Sequence, residues 1–281
     1  MTMNPFGYQG RRAVVTGGAS GVGAALLDVL AGLEVEHVTV LDLRAPTGPH
    51  DAFVAADLSD EAAVRDAIEQ IIATGEPVHA LFNNAGVADT QAPHTVMAVN
   101  YLALRTLSEG LLDCMPDGSA IVNTASTAGN LWRKRVKPID EFLDVDIAAA
   151  PDGWKPAIEW FDANAATLEQ GPYNFSKEVV ERHTMRASRP TMRRGVRTNA
   201  VCPGPIDTPL LPDFRATTSD KIIEWNIREM AGRAVAPAEV AAALAFLGSR
   251  AGAYINGVNL DIDGGFFAAI ATDQVDYSGR A

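Results

Sequence analysis

Cysteine is nearly absent: Cys114 and Cys202 are the two in 281 residues. Two thiols cannot build the disulfide framework of small secreted folds, and they suit a reducing compartment. The five histidines are scattered without ligand spacing, so no metal site is expected. Positive charge is short as well, with 23 Lys+Arg against 35 Asp+Glu and a formal net charge of −12. That balance argues against nucleic acid, where Lys and Arg neutralising phosphates dominate affinity. It also argues against anionic membrane surfaces. No apolar run reaches the roughly 18 residues of a membrane span. The stretch 1–12 lacks the apolar centre of a signal peptide, so a cytoplasmic location is expected. What is present is globular: 47% hydrophobic and 21% charged residues.

Short β-rich runs alternate with amphipathic segments. Strands are expected at 12–16, 37–41, 52–56, 78–82, 119–123, 196–201 and 258–262, and helices at 22–33, 61–73, 94–112 and 237–248. This order predicts an α/β fold, a doubly wound parallel sheet of the Rossmann type, in a single domain spanning 1–281. The link 43–51 is short for a helical crossover and reads as an abbreviated connection. Two stretches interrupt the alternation. The insertion 127–171 carries helical spacing at Ile139, Phe142, Leu143 and Ile147, and again at Ile158, Phe161 and Leu168. Two helices without a core of their own are expected there. The second stretch, 205–232, reads as a substrate-binding loop with helical pieces, and the tail 268–281 is polar.

The first expected strand runs into Thr16-Gly17-Gly18-Ala19-Ser20-Gly21-Val22-Gly23. Gly17, Gly21 and Gly23 permit a sharp turn and close approach to a pyrophosphate, while the following helix aims free N–H groups at it. Gly17, Ser20, Gly21, Val22 and Gly23 are thus cofactor candidates. Asp42 ends the second strand, where a carboxylate hydrogen-bonds ribose hydroxyls and repels a 2′-phosphate. This favours NAD, although Arg44 nearby would accommodate the phosphate of NADP.

Tyr173 and Lys177 stand four residues apart, on one face of a helix. A phenol titrates near 10, and a neighbouring ammonium and an oxidised nicotinamide favour its ionised form. Tyr173 would then serve as general base for alcohol oxidation and general acid for carbonyl reduction. Taken singly, such a pair is more often a solvated helix face. Here, however, Ser126 follows the fifth strand, Asn83-Asn84-Ala85-Gly86 ends the fourth, Asp57-Leu58 ends the third, and Pro203–Thr208 ends the sixth. All fall at the same edge of one parallel sheet.

This ordered set resembles the short-chain dehydrogenase/reductase family over essentially the whole chain, through TGGASGVG, NNAG, the serine, YNFSK, PGPIDT and VNLDIDGG. The resemblance implies a catalytic tetrad of Asn100, Ser126, Tyr173 and Lys177, with Asn100 holding a water in a proton relay and Lys177 also binding the nicotinamide ribose. It further implies adenine contacts from Asp57 and Leu58, and an adenosine wall of Asn84, Ala85 and Gly86. Pro203, Ile206 and Thr208 would hold the carboxamide. The chain departs from most members in the short interval from Asn84 to Asn100 and the long one from Ser126 to Tyr173. Both features are similar to the branch that contains 3α-hydroxysteroid dehydrogenase/carbonyl reductases and coniferyl-alcohol dehydrogenases. A homodimer or homotetramer is implied, though the insertion puts in question how the Tyr helix would meet its mate.

Because the insertion starts just after Ser126, it is expected to roof or flank the substrate. Trp132, nearest to Ser126, is the first candidate for substrate contact, with Leu210 and Leu211 of the 205–232 loop. Trp154, Trp160 and Phe161 are as readily explained by packing of the insertion onto the body. The basic residues Arg133, Lys134, Arg135 and Lys137 read as a solvated face or, less simply, a carboxylate contact. The expected function is an NAD-dependent oxidoreductase that interconverts a bulky hydrophobic alcohol and its ketone or aldehyde, on a hydroxysteroid or an aryl or phenylpropanoid alcohol. A catalytically silent NAD-binding sensor or scaffold is the alternative, and an epimerase or dehydratase a weaker one.

Overall fold

Strands that are apolar on both faces must be covered on both. The computed structural model describes residues 5–148, 151–168 and 171–276. Parts of the insertion (149–150 and 169–170) and the end of the tail therefore lie outside the described residues. Seven strands are seen: β1 (Arg12–Thr16), β2 (His37–Asp42), β3 (Ala52–Ala55), β4 (Ala80–Asn83), β5 (Ala120–Thr124), β6 (Arg197–Pro203) and β7 (Asn259–Ile262). They pair in parallel in the order β3-β2-β1-β4-β5-β6-β7. Side chains alternate between two core layers, as strand pleating requires. Val14, Leu81 and Ile121 enter one layer, while Val15, Phe82 and Val122 enter the other.

The second layer is completed by α1 (Gly21–Gly32), through Leu26, Leu27 and Leu30, and by a later helix that starts at a proline. The first is completed by α2 (Glu61–Ala73), capped by Asp60, and by the segment after β4. That segment is less regular than its apolar spacing suggests. It divides into α3 (Pro93–Met97), one π-helical turn (Ala98–Leu102) and α4 (Ala103–Gly110). The β2–β3 link has no helix, as its length predicts.

The insertion forms α5 (Val136–Leu143) and α6 (Lys155–Asn164), ahead of the long α7 (Gly171–Met192). Its apolar residues Ile139, Phe142, Trp154, Phe161 and Leu168 join the first core layer. Phe142 lies 5.5 Å from the ring of Phe175 on α7 and 5.6 Å from Tyr101. Trp160 stacks on Phe175 at 6.0 Å. The Trp154 indole donates to Thr106 Oγ1 at 2.9 Å. These aromatics pack the insertion onto the body.

Arg135 corrects the reading of the basic run. Its Nε donates to Glu178 Oε2 on α7 at 2.8 Å, and its Nη2 approaches Oε1 at 2.7 Å in a geometry too bent for a second hydrogen bond. Another N–H of the same guanidinium reaches the Leu168 carbonyl. Glu178 is fully buried, so this is neither a solvated face nor a substrate contact. Nearer the surface, Asp140 accepts from Arg182 at 2.9 and 2.8 Å, and Arg186 bridges Asp140 and Asp144. The remaining helices are α8 (Leu211–Thr218), α9 (Asp220–Glu229), α10 (Pro237–Gly248), which is the proline-started helix of the second layer, and α11 (Phe266–Ala271). Among the described residues no helix is long and apolar enough to cross a membrane.

A buried charge left without its partner is far costlier than an exposed one. Arg135→Ala should lower unfolding stability by about 3 kcal/mol, whereas Asp140→Ala should cost less than about 1 kcal/mol. Urea denaturation of the two variants checks the order, and equal losses would refute it.

Candidate active site

The carboxyl ends of β1, β2, β4, β5 and β6 border one cleft of about 940 Å³, at the large end of ligand pockets. It lies where the strand order reverses between β1 and β4, the usual place for a ligand in such a sheet. β1 turns at Gly17, whose φ is +72°. A Cβ there would stand 2.8 Å from Ala85 Cα, so the turn and the end of β4 meet backbone to backbone. A Cβ on Gly23 would collide with the Gly17 carbonyl oxygen. These approaches set the N-terminus of α1 over the cleft with no acidic residue in its first turn. Its unpaired N–H groups and positive dipole end suit a phosphate.

Thr16 Oγ1 accepts the N–H groups of Asn84 and Ala85, each at 3.0 Å, and Asn84 Nδ2 spans the carbonyls of Thr16 and Gly17 at 3.3 and 3.4 Å. Asp42 Oδ2 accepts the Ala19 N–H at 2.9 Å and Oδ1 the Arg44 N–H at 3.1 Å. The carboxylate is therefore fixed beside the glycine turn, with Asp57 and Leu58 next to it along the wall. Glycine cradle, helix terminus and fixed carboxylate fit a dinucleotide. Pro203 at the end of β6, with Ile206 and Thr208 beyond it, borders the same cleft, and the Thr208 methyl would lie 3.3 Å from a Cβ at Gly21.

Ser126 follows β5. Its Oγ accepts the Ala128 N–H at 3.1 Å, and it borders the cleft together with Tyr173. Lys177 lies one turn beyond Tyr173 on α7, 4% exposed, and its Nζ donates to the Thr124 carbonyl at 2.9 Å. Burial pushes the Tyr173 phenol up to about 12; Ser126 opposes the rise and the Asp89 carboxylate adds to it. Burial pushes Lys177 down to about 8. The lowering of the phenol expected from the ammonium is not what the chain by itself produces. Lys177 Nζ stands 5.7 Å from the Tyr173 ring centroid and is directed at Thr124, so burial of the phenol prevails.

Ser20, Gly21, Val22, Gly86, Leu210 and Leu211 also line the cleft, but three sequence candidates do not. Gly23 acts behind it, by letting α1 close on Gly17. Asn100 sits in the π-helical turn: its Oδ1 accepts the Val87 N–H at 2.8 Å, and its Nδ2 donates to the Val87 carbonyl and Ser176 Oγ, both at 3.1 Å. It braces the loop after β4 against α7. Trp132 is buried, with the guanidiniums of Arg133 and Arg182 at 4.5 and 5.4 Å from its ring. Its neighbour Leu131 borders the cleft instead. Beyond Ser126, the insertion contributes Thr127, Ala128 and Leu131 among the described residues, and no roof. The roof comes from α8 and α9. There the Phe214 ring lies 4.8 Å from that of Tyr173, while Trp225 packs on Phe266. Asp89, which the sequence did not single out, borders the cleft and accepts the Tyr173 N–H on Oδ1 at 2.8 Å. No cluster able to hold a metal ion is found among the described residues.

Comparison with known proteins agrees with this geometry. Residues 11–137 match the family model described as short chain dehydrogenase, and residues 157–267 the one described as enoyl-(acyl carrier protein) reductase. The unmatched stretch between them falls within the insertion. The chain is 33% identical over 255 residues to the coniferyl-alcohol dehydrogenase of Pseudomonas sp. (strain HR199), covering 91% of this chain and 96% of that protein. It is 32% identical to the cis-4-hydroxycyclohexanecarboxylate dehydrogenase of Sinomonas cyclohexanicum, covering 92% and 97%. The crystal structure of a 3α-hydroxysteroid dehydrogenase from Pseudomonas sp. B-0831, complexed with NADH, is similar with a TM-score of 0.75 and 30% identity, covering 94% of this chain and 100% of that one.

A second group missed by the sequence lies beneath Lys177. Glu181, one turn further along α7 and 1% exposed, lies near the Cys202 thiol, and its Oε1 has no hydrogen-bond partner. Burial, reinforced by the nearby Asp261 carboxylate, pushes it from the ordinary 4.5 to about 8. An acid whose folded pKa lies above its unfolded value favours the folded chain at low pH and loses that advantage as pH rises through the folded value. Stability should therefore fall between about pH 4.5 and 8, and Glu181→Gln, neutral throughout, should reduce the fall. Urea midpoints at pH 5 and pH 8 check this; equal slopes in both proteins would refute it.

Proposed function

The chain belongs to the short-chain dehydrogenase/reductase family of nicotinamide-dependent oxidoreductases, and from that premise we propose that it is an NAD-dependent alcohol dehydrogenase/ketone reductase. The observation that carries the reading is that Ser126, Tyr173 and buried Lys177 border one cleft, with Lys177 one turn beyond Tyr173 and held on the Thr124 carbonyl at the end of β5. When bound, the nicotinamide supplies the hydride acceptor or donor and, in its oxidised form, a positive charge beside the phenol. Ser126 holds the reacting oxygen. In oxidation Tyr173 Oη takes the hydroxyl proton as the carbinol carbon loses hydride; in reduction it returns a proton to the oxygen. Lys177 fixes the turn that carries Tyr173 and binds the cofactor ribose. Asn100 acts through the Val87 backbone and Ser176, as a positioning residue. The apolar roof excludes water from hydride transfer.

The substrate end of the cleft supports a bulky hydrophobic alcohol, of the aryl, phenylpropanoid or hydroxysteroid kind. Leu131, Leu210, Leu211, Phe214, Ile223 and Phe266 surround it, and the coniferyl-alcohol and 3α-hydroxysteroid dehydrogenases among the relatives act on alcohols of those classes by their names. NAD over NADP is supported by Asp42, whose carboxylate is fixed by two backbone N–H groups where a 2′-phosphate would have to lie.

Absorbance at the NADH band should rise with NAD and a panel of aryl and steroid alcohols. Tyr173→Phe should lower kcat at least about 100-fold, and turnover unchanged by that substitution would overturn the mechanism. In the same assay kcat/KM for NAD should exceed that for NADP at least about tenfold, the discrimination expected of a carboxylate at the ribose; equal efficiencies would reject the role given to Asp42.

A further inference from the structure

Five charged side chains border the cleft among the described residues. Asp42, Arg44 and Asp57 stand at the glycine-turn end, and Lys177 and Asp89 at the catalytic end. Lys177 is buried and donates to Thr124. That leaves Asp89 as the charge that borders the apolar half built by Leu131, Phe214 and the α8–α9 roof. Partial burial raises the Asp89 carboxyl above its ordinary value, and the Tyr173 N–H that Oδ1 accepts at 2.8 Å, near the start of α7, opposes that rise. The carboxylate is close enough to the phenol for its field to be felt there. A substrate oxygen bound at Tyr173 and Ser126 would feel the same field, and so would any charge on the body of the substrate. A carboxylate has about four acceptor positions, and among the described residues one donor to Asp89 is seen.

We infer that Asp89 is a specificity-determining residue, which rejects alcohols carrying a negative charge and favours those with a second hydrogen-bond donor, such as a hydroxyl, a phenol or an ammonium. The inference rests on the alcohol-dehydrogenase reading above and names its substrate class. In a cleft with apolar walls, a like charge at close range is weakly screened, and rejection by an unpaired charge is a recurrent source of specificity. A role confined to capping α7 would be kept by asparagine, whose side-chain oxygen accepts the Tyr173 N–H equally well. Asp89→Asn therefore separates charge from cap.

The test compares cinnamyl alcohol with its ring-hydroxy and ring-carboxy derivatives, substituted at the ortho, meta and para positions, using NAD and both proteins. In the wild type every carboxy derivative should have kcat/KM at least about tenfold below the parent alcohol, and the best hydroxy derivative should match or exceed it. In Asp89→Asn the carboxy-to-parent ratio should rise by about tenfold and the hydroxy-to-parent ratio should fall. Thermal melting establishes that the variant is folded, and Asp89→Ala, which lacks the cap as well, should melt lower than Asp89→Asn. Ratios unmoved by Asp89→Asn would overturn the inference and leave Asp89 a cap. Absence of turnover with any of these alcohols would overturn the dehydrogenase reading, and the inference with it.

Discussion

The hydrogen bond from Lys177 Nζ to the Thr124 carbonyl joins the two elements on which the site is built. Thr124 closes β5, and Ser126 follows it two residues later; Tyr173 lies one turn before Lys177 on α7. A buried ammonium must find an acceptor or lose its charge, so α7 is held at the height that brings Tyr173 to the same cleft as Ser126. Other contacts fix the remaining freedom of the helix. Asp89 caps its start, Asn100 reaches Ser176 from the π-helical turn, and Glu178 anchors its back to Arg135. Each lies within a few residues of Tyr173 or Lys177, so displacement of any one would be felt at the phenol.

In that light the insertion is a bracket for α7, the helix that carries Tyr173 and Lys177. Its aromatic residues converge on Phe175, which sits between Tyr173 and Lys177 in sequence and points away from the cleft. Its charges zip α5 to Arg182 and Arg186. The exposed part of this zipper contributes little to stability; the buried Arg135–Glu178 pair and the aromatic cluster carry more. α5 therefore occupies ground on the outer side of α7.

Strand positions and the shared sheet edge were legible in the sequence, because a parallel sheet buried on both faces writes continuous apolar runs, and because glycine has few substitutes at φ near +72° beside Ala85. Ser126, Tyr173 and Lys177 could be placed together because strand ends and helix turns have fixed geometry. Trp132 was misplaced because nearness in sequence to Ser126 says nothing of direction. A turn of 3₁₀ helix leaves Leu131 on the cleft and buries Trp132 beside two arginines. Asp89 and Glu181 were invisible for a related reason. Their meaning depends on what lies across from them, a backbone N–H in one case and a thiol in the other, and no periodicity encodes a partner 84 residues away.

The acidic balance of the chain takes on a different meaning once the cleft is assembled. A dinucleotide is anionic and the net charge is −12, so attraction between whole molecules cannot be what holds it. Local, oriented groups would do so instead: the free N–H groups at the start of α1, brought close by Gly17 and Gly23, would act over a few ångströms, where the summed field of distant carboxylates is screened by salt. The same locality separates the two ends of the cleft. At the glycine-turn end both Asp42 oxygens accept backbone N–H groups and its charge is spread into that network. At the end bordered by Tyr173, Asp89 accepts one backbone N–H and is partly buried, so its charge is less screened than at the open surface. Two carboxylates at opposite ends of one cleft thus differ in what surrounds them: one is tied into the glycine turn through two N–H groups, and the other adds its charge to the burial that already raises the phenol.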